Sequence, residues 1–272
     1  MKQPVRNFHL LLLIVLLPLL SACDKDGDLL VNNSGLACLE GMIYGKTNRD
    51  NHGSTGLMLH QGYTYKVVKI GDQWWMAENL RSTTYKDGTP ILHAKDDDDW
   101  ATVTEGAYCA YNNDANHESD TYGYLYNFLA ASDPRGIAPK GWHVATDAEW
   151  KQLEMFLGMS QASADSTGYR GGSNNEGGKL RETGTSHWPS PNDGATNESG
   201  FTAIPGGERS AGGGTAKFEA IGDQCNFWTF TGDDASGGWM RNLDSFFLFS
   251  PMIQRTDDSR LRYGYSIRCV KD

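Results

Sequence analysis

Three tryptophans in the second half of the chain lie near amide and carboxylate side chains, a combination that can hold a sugar. Aromatic rings stack on the C–H faces of sugar rings, and Asn and Asp side chains bond the hydroxyl groups. The candidate ligand-binding residues are Trp188, Asn192, Asp193, Asn197, Trp228, Asp233, Asp234 and Trp239. The same tryptophans could instead anchor glycine-rich segments in the core, and the sequence leaves both interpretations open.

Catalytic motifs are incomplete in this sequence. His52-Gly-Ser-Thr-Gly56 is one residue short of the Gly-x-Ser-x-Gly turn that presents a nucleophilic serine. Residues 172–179 lack the glycine spacing of a phosphate-binding loop. The histidines that follow residue 22 are never four residues apart, so the sequence has no helical zinc pair. We therefore expect no catalytic residues, no metal site and no cofactor.

Four successive carboxylates, Asp96 to Asp99, could bind calcium or remain solvated. Adjacent like charges repel one another, and a bound cation would remove that repulsion. We expect a solvated surface loop here, with calcium binding as the alternative.

The cysteines indicate an oxidising compartment. Cys38, Cys109, Cys225 and Cys269 are an even set in a chain that we expect to be exported, and four cysteines allow three pairings. Two disulfides are the expected outcome, and buried free thiols are the alternative. A local zinc knuckle is excluded, because the sequence contains no Cys-x-x-Cys.

The first 22 residues have the features of an export signal. Lys2 and Arg6 precede an apolar run from Leu10 to Leu20, which is shorter than the roughly 20 residues of a membrane-spanning helix. The following Leu20-Ser-Ala-Cys23 resembles the lipobox of bacterial lipoproteins. This resemblance implies cleavage after residue 22, diacylglyceryl attachment to Cys23 and association with a membrane through that lipid.

Residues 23–40 are polar and are expected to form a tether. Their acidic start, Asp24-Lys-Asp-Gly-Asp28, is similar to the surface-export signals of Bacteroidetes lipoproteins and implies the outer face of the outer membrane. Without residues 1–22, the chain has 22 Lys and Arg and 34 Asp and Glu, a net charge of 22 − 34 = −12. This charge argues against nucleic acid as a partner, because phosphate binding needs clustered positive charge.

Short elements separated by turns must position these residues. Residues 63–70 alternate in polarity as a strand does, and Gly71-Asp72 predicts a two-residue turn. Residues 73–76 are expected to form the second strand, so this segment predicts a hairpin. Apolar spacing predicts a helix over 121–131 and a second one from Asp147, with a capping box at Thr146 and Glu149 and its end at Gly158.

The rest of the chain is expected to form short antiparallel strands and one long irregular loop. Strands are predicted at 201–204, 227–230, 239–242, 245–249 and 265–270, and the loop is predicted at 159–200. Two helices with short strands indicate a single α+β domain over residues 41–272.

Nine motifs in chain order resemble those of the Fibrobacter succinogenes major paralogous domain family. Two of them are Pro139-Lys-Gly-Trp-His-Val144 and Tyr263-Gly-Tyr-Ser-Ile-Arg-Cys-Val270. The others are at 68–80, 106–114, 122–128, 147–150, 178–184, 197–203 and 205–207. The resemblance covers residues 62–271. It implies a compact C-type-lectin-like fold, similar to that of formylglycine-generating enzymes, with a long irregular loop region and no established activity.

The resemblance also bears on the cysteines. Cys109 and Cys269 lie within its motifs, whereas Cys38 and Cys225 lie outside them, which implies the pairs Cys109–Cys269 and Cys38–Cys225. Many family members have Cys where this chain has Ala138, so a disulfide at that position is absent. If Cys225 and Cys269 met in space, they could hold copper as a formylglycine-generating enzyme does.

These observations predict a lipid-anchored protein of the outer membrane that faces the cell exterior and binds a glycan or a protein without catalysis. Two other classes stay open. A close pair of thiols in a cleft would favour an enzyme, and an exposed apolar patch of several hundred Å² would favour a component of a surface assembly.

Overall fold

A computed structural model describes residues 43–44, 53–114, 118–212, 214–230, 238–246, 248–258 and 260–272. Its strands are β1 (Ile43–Tyr44), β2 (Thr55–His60), β3 (Tyr63–Ile70), β4 (Gln73–Met76), β5 (Leu92–His93), β6 (Ala107–Cys109), β7 (Leu125–Tyr126), β8 (Trp142–Val144), β9 (Gly168–Gly171), β10 (Gly206–Gly212), β11 (Thr215–Ile221), β12 (Gln224–Thr229), β13 (Gly238–Asp244), β14 (Met252–Asp258) and β15 (Cys269–Lys271). Its helices are α1 (Asp97–Thr102), α2 (Glu118–Tyr122), α3 (Phe128–Ala131), α4 (Asp147–Phe156), α5 (Gln161–Asp165) and α6 (Glu176–Leu180), with a 3-10 turn at Tyr111–Asn113. The predicted signal peptide (1–22) and tether (23–40) lie outside these residues.

Most of the regular structure in the described residues is β-sheet. One sheet has the strand order β1-β2-β3-β4-β15-β8, a second has the order β11-β10-β12-β13-β14-β9, and β5, β6 and β7 form a third. The longest helix of the described part, α4, has 10 residues. The predicted α+β class is therefore wrong. The domain is β-rich, because segments that we expected to be helical or irregular pair as strands instead.

The hairpin and the second helix form as predicted. β3 and β4 pair antiparallel from Val67↔Met76 to Ile70↔Gln73, and Gly71 in the turn has a φ of +60°, a value that favours glycine. At the start of α4, the Thr146 side chain accepts from the Glu149 backbone amide, and the Glu149 carboxylate accepts from the Thr146 amide at 2.8 Å. The capping box is confirmed.

Residues 121–131 do not form the predicted helix. Gly123 follows α2 with a φ of +75°, and Leu125–Tyr126 then pairs with β6 as strand β7. Asn127 begins the short helix α3, where its side chain accepts from the Ala130 amide. Apolar residues at helical spacing are thus divided between a strand and a four-residue helix, because sheet pairing outweighs local propensity here.

The strands predicted at 227–230 and 239–242 are confirmed as parts of β12 and β13, which pair antiparallel. Residues 201–204 are not a strand. Thr202 has a φ of +54°, and the Arg268 guanidinium donates hydrogen bonds to the carbonyl oxygens of residues 201 and 202. The strand predicted at 245–249 is not formed, because the backbone amides of Phe249 and Ser250 donate to the carbonyl oxygen of Phe246 and form a turn. Of the last predicted strand, 265–270, only residues 269 and 270 lie in a strand, β15. The predicted irregular loop at 159–200 contains α5, β9 and α6.

Three clusters of buried apolar residues form the core of the described domain. One contains Trp142, Trp228 and Tyr265, a second contains Trp75 and Trp150, and a third surrounds Trp100. Within the described residues, every helix is too short or too polar to cross a membrane.

Buried ion pairs fix α4 to the second sheet. Glu154 accepts from Arg170 of β9 at 2.6 and 2.9 Å and from Arg241 of β13 at 2.7 Å. Asp147 accepts from Arg241 at 2.8 Å and from Arg255 of β14 at 2.7 and 2.9 Å. The side chains of Glu154 and Arg241 are fully buried. One face of the helix thus meets three strands through charge-assisted hydrogen bonds, which constrain its orientation on the sheet.

Candidate functional site

The three-stranded sheet has a row of aromatic side chains across its strands. β5 pairs with β6 at His93↔Tyr108, and β6 pairs with β7 at Tyr108↔Tyr126. Residues opposite one another in neighbouring strands project from the same face, so the three rings lie side by side. The rings of His93 and Tyr108 stack with their centroids 4.6 Å apart and an interplanar angle of 11°.

Exposure increases along this row towards His93. Tyr126 is fully buried, and its hydroxyl donates to the backbone oxygen of Ser82 at 2.9 Å. Tyr108 is 8% exposed, whereas His93 is in the exposed class. Since Tyr108 covers one face of the His93 ring, the solvent-accessible part of that ring is its other face and its edges.

Tyr124 completes a corner with these rings. It is half-buried, and its ring centroid lies 4.8 Å from that of Tyr108 at an interplanar angle of 56°. Within the part of the chain that the structure describes, the hydroxyls of Tyr108 and Tyr124 form no hydrogen bond. We call His93, Tyr108 and Tyr124 the aromatic corner.

The rings of His93 and Tyr108 are uncharged at neutral pH. Burial, together with the positive charge of Lys95, lowers the pKa of His93 below its ordinary value of 6.5. Burial raises the pKa of Tyr108 above its ordinary value of 10.0. A neutral aromatic surface with available hydroxyls can stack on the apolar face of a sugar ring and bond the ring's hydroxyl groups.

Sequence reasoning missed the aromatic corner. Tyr108 and Tyr124 lie within two of the quoted motifs, and Tyr124 and Tyr126 alternate with Leu125 as residues of a strand do. That alternation was the available signal, but the helical spacing of the neighbouring apolar residues outweighed it. His93 gave no signal, because its ring meets Tyr108 only when β5 pairs with β6.

The predicted sugar-binding tryptophans do not form one surface. Trp188 and Trp228 are buried, and the indole nitrogen of each donates to a backbone oxygen. Trp239 is half-buried, and the guanidinium of Arg255 lies 3.5 Å from its ring centroid. Trp188 and Trp228 thus belong to the buried core, which was the alternative interpretation of the sequence, whereas Trp239 lies at its edge against Arg255.

The polar candidates near those tryptophans have structural contacts of their own. Asn192 donates to two backbone oxygens within its loop, and Asn197 bonds the backbone and hydroxyl of Thr202. Asp193 is exposed and contributes its backbone oxygen to a bond with Arg181. Asp233 and Asp234 lie outside the described residues. Among the described members of the predicted set, the tryptophans and the polar side chains are thus occupied by separate structural contacts.

The described cysteines are free thiols. Cys109, Cys225 and Cys269 are buried, and each belongs to a different apolar cluster. The predicted Cys109–Cys269 disulfide is therefore not formed, and Cys225 has no disulfide partner among these residues; Cys38 lies outside them. The division between clusters also keeps Cys225 and Cys269 from forming the copper-binding pair that we considered.

The acidic run is exposed to solvent, as expected, but it begins helix α1 instead of forming a loop. The Asp96 carboxylate accepts from the backbone amides of Asp98 and Asp99, and Asp97 forms an ion pair with Arg209 at 2.7 Å. Carboxylates in a first helical turn are stabilised by the partial positive charge there. In the described ranges, no group of three or more His, Cys, Asp or Glu side chains could hold a metal ion.

One comparison with known proteins found a match. Residues 68–271, which include all three residues of the aromatic corner, match the family model described as Fibrobacter succinogenes major domain. No curated protein and no solved structure matched the chain.

Proposed function

The chain belongs to the Fibrobacter succinogenes major domain family, and from that premise we propose that it is a lipid-anchored surface protein whose domain binds an extracellular glycan. The observation that carries the proposal is the exposed His93 ring stacked on Tyr108 at the edge of a sheet. The ligand is held by stacking and hydrogen bonds and is released chemically unchanged.

Several properties of the aromatic corner support a sugar over a charged ligand. The rings of His93 and Tyr108 are neutral at physiological pH, and the tilt of 56° between Tyr108 and Tyr124 gives a surface with two aromatic planes. Sugar rings present apolar C–H faces to such planes. Each of the two tyrosine hydroxyls can donate and accept a hydrogen bond, and sugar hydroxyls can do both in return.

The proposed location depends on the start of the sequence. Lys2 and Arg6, the apolar run and Cys23 support export and acylation. The net charge of −12 after residue 22 disfavours contact with anionic headgroups, so the domain would project from the outer membrane on residues 23–40. Growth with a fatty-acid analogue, followed by its detection on the wild-type chain but not on a Cys23→Ser chain, tests this part alone.

A glycan array tests the binding function. The Cys23→Ser chain made without residues 1–22 lacks both the apolar leader and the acylated cysteine, and we expect it to bind a defined subset of neutral glycans. His93→Ala should weaken that binding about tenfold by removing one stacking plane. Tyr124→Phe keeps the ring and removes only the hydroxyl, so it should also weaken binding while leaving the fold unchanged.

Phe156→Ala is the matched control, because it removes an exposed aromatic ring, 44% accessible, on helix α4. It should bind as the parent does. The proposal fails if the array shows no binding, or if His93→Ala binds as tightly as Phe156→Ala. Recognition of a protein instead of a glycan would appear as binding to protein-coated but not glycan-coated surfaces.

One observation favours an enzyme as the second candidate. Burial raises the pKa of Glu208 to about 6, and hydrogen bonds from Arg260 and Tyr265 lower that of Asp258 despite its burial. Two carboxylates whose pKa values diverge can serve as an acid and a base. Mass spectrometry of a bound glycan after incubation separates the candidates, since cleavage would favour the enzyme and an unchanged mass would favour binding.

A further inference from the structure

A groove of about 400 Å³ lies away from the aromatic corner, between the end of α1, helix α3, strand β10 and the segment 260–262. Its walls combine aliphatic side chains with two guanidinium groups. The residues that matter here are Val103, Leu129, Ala211, Leu261, Arg260 and Arg262. Its size falls within the range of about 300–1,000 Å³ that is usual for small-molecule sites.

Arg262 is the group that gives the groove its charge. Its Nε donates to the backbone oxygen of Val103 at 2.7 Å, and its own backbone oxygen accepts from the indole nitrogen of Trp100 at 2.7 Å. The side chain is thereby held in place, although the residue is exposed. Within the described ranges, Arg262 forms no ion pair, and its two terminal nitrogens form no hydrogen bond.

Arg260 differs because its charge is already paired. Its Nε and Nη2 donate to the two carboxylate oxygens of Asp258 at 2.8 and 2.7 Å, and Nη2 also bonds the hydroxyl of Tyr265 at 3.0 Å. The side chain is 51% exposed, and its remaining Nη1 can donate to a ligand. Asp258 and the nearby Glu208 both offset the charge of Arg260, so the cation beside the groove that remains without an ion pair in the described residues is Arg262.

We infer that this groove binds an aliphatic carboxylate. The two free nitrogens of Arg262 match the two oxygens of a carboxylate, a pairing that the planar guanidinium favours. The methyl groups of Val103, Leu129 and Leu261 suit an alkyl body rather than a sugar ring, since none of them provides an aromatic plane. In a chain with a net charge of −10, Arg262 supplies a positive charge that can attract an anion to the edge of this groove.

Calorimetric titration of the purified Cys23→Ser chain with octanoate and with octanamide tests the inference. The two probes share a chain length, and only octanoate is charged. We expect octanoate to bind at least about tenfold more tightly, because a hydrogen bond to a charged partner is worth more than one to a neutral partner. In methyl NMR spectra, octanoate should shift the signals of Val103, Leu129 and Leu261.

Variants of Arg262 complete the test. Arg262→Gln should weaken octanoate binding about tenfold, whereas Arg262→Lys should retain part of it by keeping the charge. Lys140→Gln makes the same charge change at another exposed position and should leave the affinity unaltered. Equal affinities for the two probes, methyl shifts outside the groove, or an Arg262→Gln affinity equal to that of Lys140→Gln would each overturn the inference. Its outcome is independent of glycan binding at the aromatic corner.

Discussion

At the scale of single residues, His143 is held by carboxylates at both ring nitrogens. Its Nε2 lies 2.7 Å from Glu149 and its Nδ1 lies 2.6 Å from Asp272. Only the protonated imidazole can donate at both nitrogens, so this arrangement favours the charged form. The bond to Glu149, followed by the bond to Asp272, raises the pKa of His143 above its ordinary value of 6.5 despite partial burial. His143 therefore connects strand β8, the capping box of α4 and residue 272.

This geometry predicts a pH-dependent contribution to stability. Because the pKa of His143 is higher in the folded chain than in the unfolded chain, its contribution is complete below 6.5 and is lost as the pH rises through the folded value. The difference in unfolding free energy between wild type and His143→Gln should thus shrink as the pH increases. Denaturant titrations over a pH series measure it, with Lys140→Gln as a control that removes a positive charge at another exposed position. A difference that stays constant with pH contradicts the prediction.

At the scale of elements, the buried ion pairs of Glu154 and Asp147 fix the orientation of α4 on the second sheet. Glu154 compensates two buried guanidiniums, so Glu154→Gln would leave Arg170 without its carboxylate partner and Arg241 with Asp147 alone. We expect a loss of about 3–5 kcal/mol in the free energy of unfolding, the usual cost of breaking a buried ion pair. Chemical denaturation provides the measurement.

Asp165→Asn is the control for this change, since Asp165 pairs with Lys151 at the surface and its side chain is 52% exposed. An exposed pair contributes only about 0–1 kcal/mol. If both variants lost the same small amount of stability, the network would not have the role that we assign to it.

A second prediction at this scale concerns the contact between β13 and α3. A Cβ built on Gly238 would overlap the ring of Phe128, which itself packs against Trp228. Gly238→Ala should therefore cost about 1–3 kcal/mol through overpacking, and a second change, Phe128→Leu, should recover part of that loss. Gly212→Ala is the control, because its Cβ would meet only the Tyr263 hydroxyl at 3.9 Å. Thermal unfolding of the wild type, the Gly238→Ala and Phe128→Leu variants and the double variant would reveal the coupling, and strictly additive effects would count against it.

Local signals in the sequence were sufficient for some elements. The Gly71 turn and the Thr146 capping box each lie within a few residues of what they specify, so both elements could be predicted. The partners of Glu154, by contrast, are 16 and 87 residues away along the chain, and no short pattern indicates them. The aromatic corner could not be predicted for the same reason. His93 meets Tyr108 only through the pairing of β5 with β6, which no short sequence pattern indicates.

At the scale of the whole molecule, the three apolar clusters keep the described thiols apart. Burial raises the pKa of Cys109 to about 12 and also raises those of Cys225 and Cys269. Alkylation needs both an accessible sulfur and its thiolate form. Iodoacetamide should therefore leave these three residues unmodified in the native protein and should modify all three after denaturation.

Peptide mapping by mass spectrometry without reduction reads out each cysteine separately. The test is therefore independent of Cys23 and Cys38, which other chemistry can occupy. A peptide that links Cys109 to Cys269, or rapid native labelling of any of the three residues, would contradict the structure.

The place of β15 in the first sheet has a consequence for how the domain is made. Its residues, 269–271, sit between β4 and β8, which are synthesised long before them. During synthesis β4 and β8 leave the ribosome without the strand that joins them in the sheet. Their pairing partner is absent until residues 269–271 have been made. The first sheet therefore closes only after the last strand of the domain has been synthesised, so its completion follows translation of nearly the whole chain.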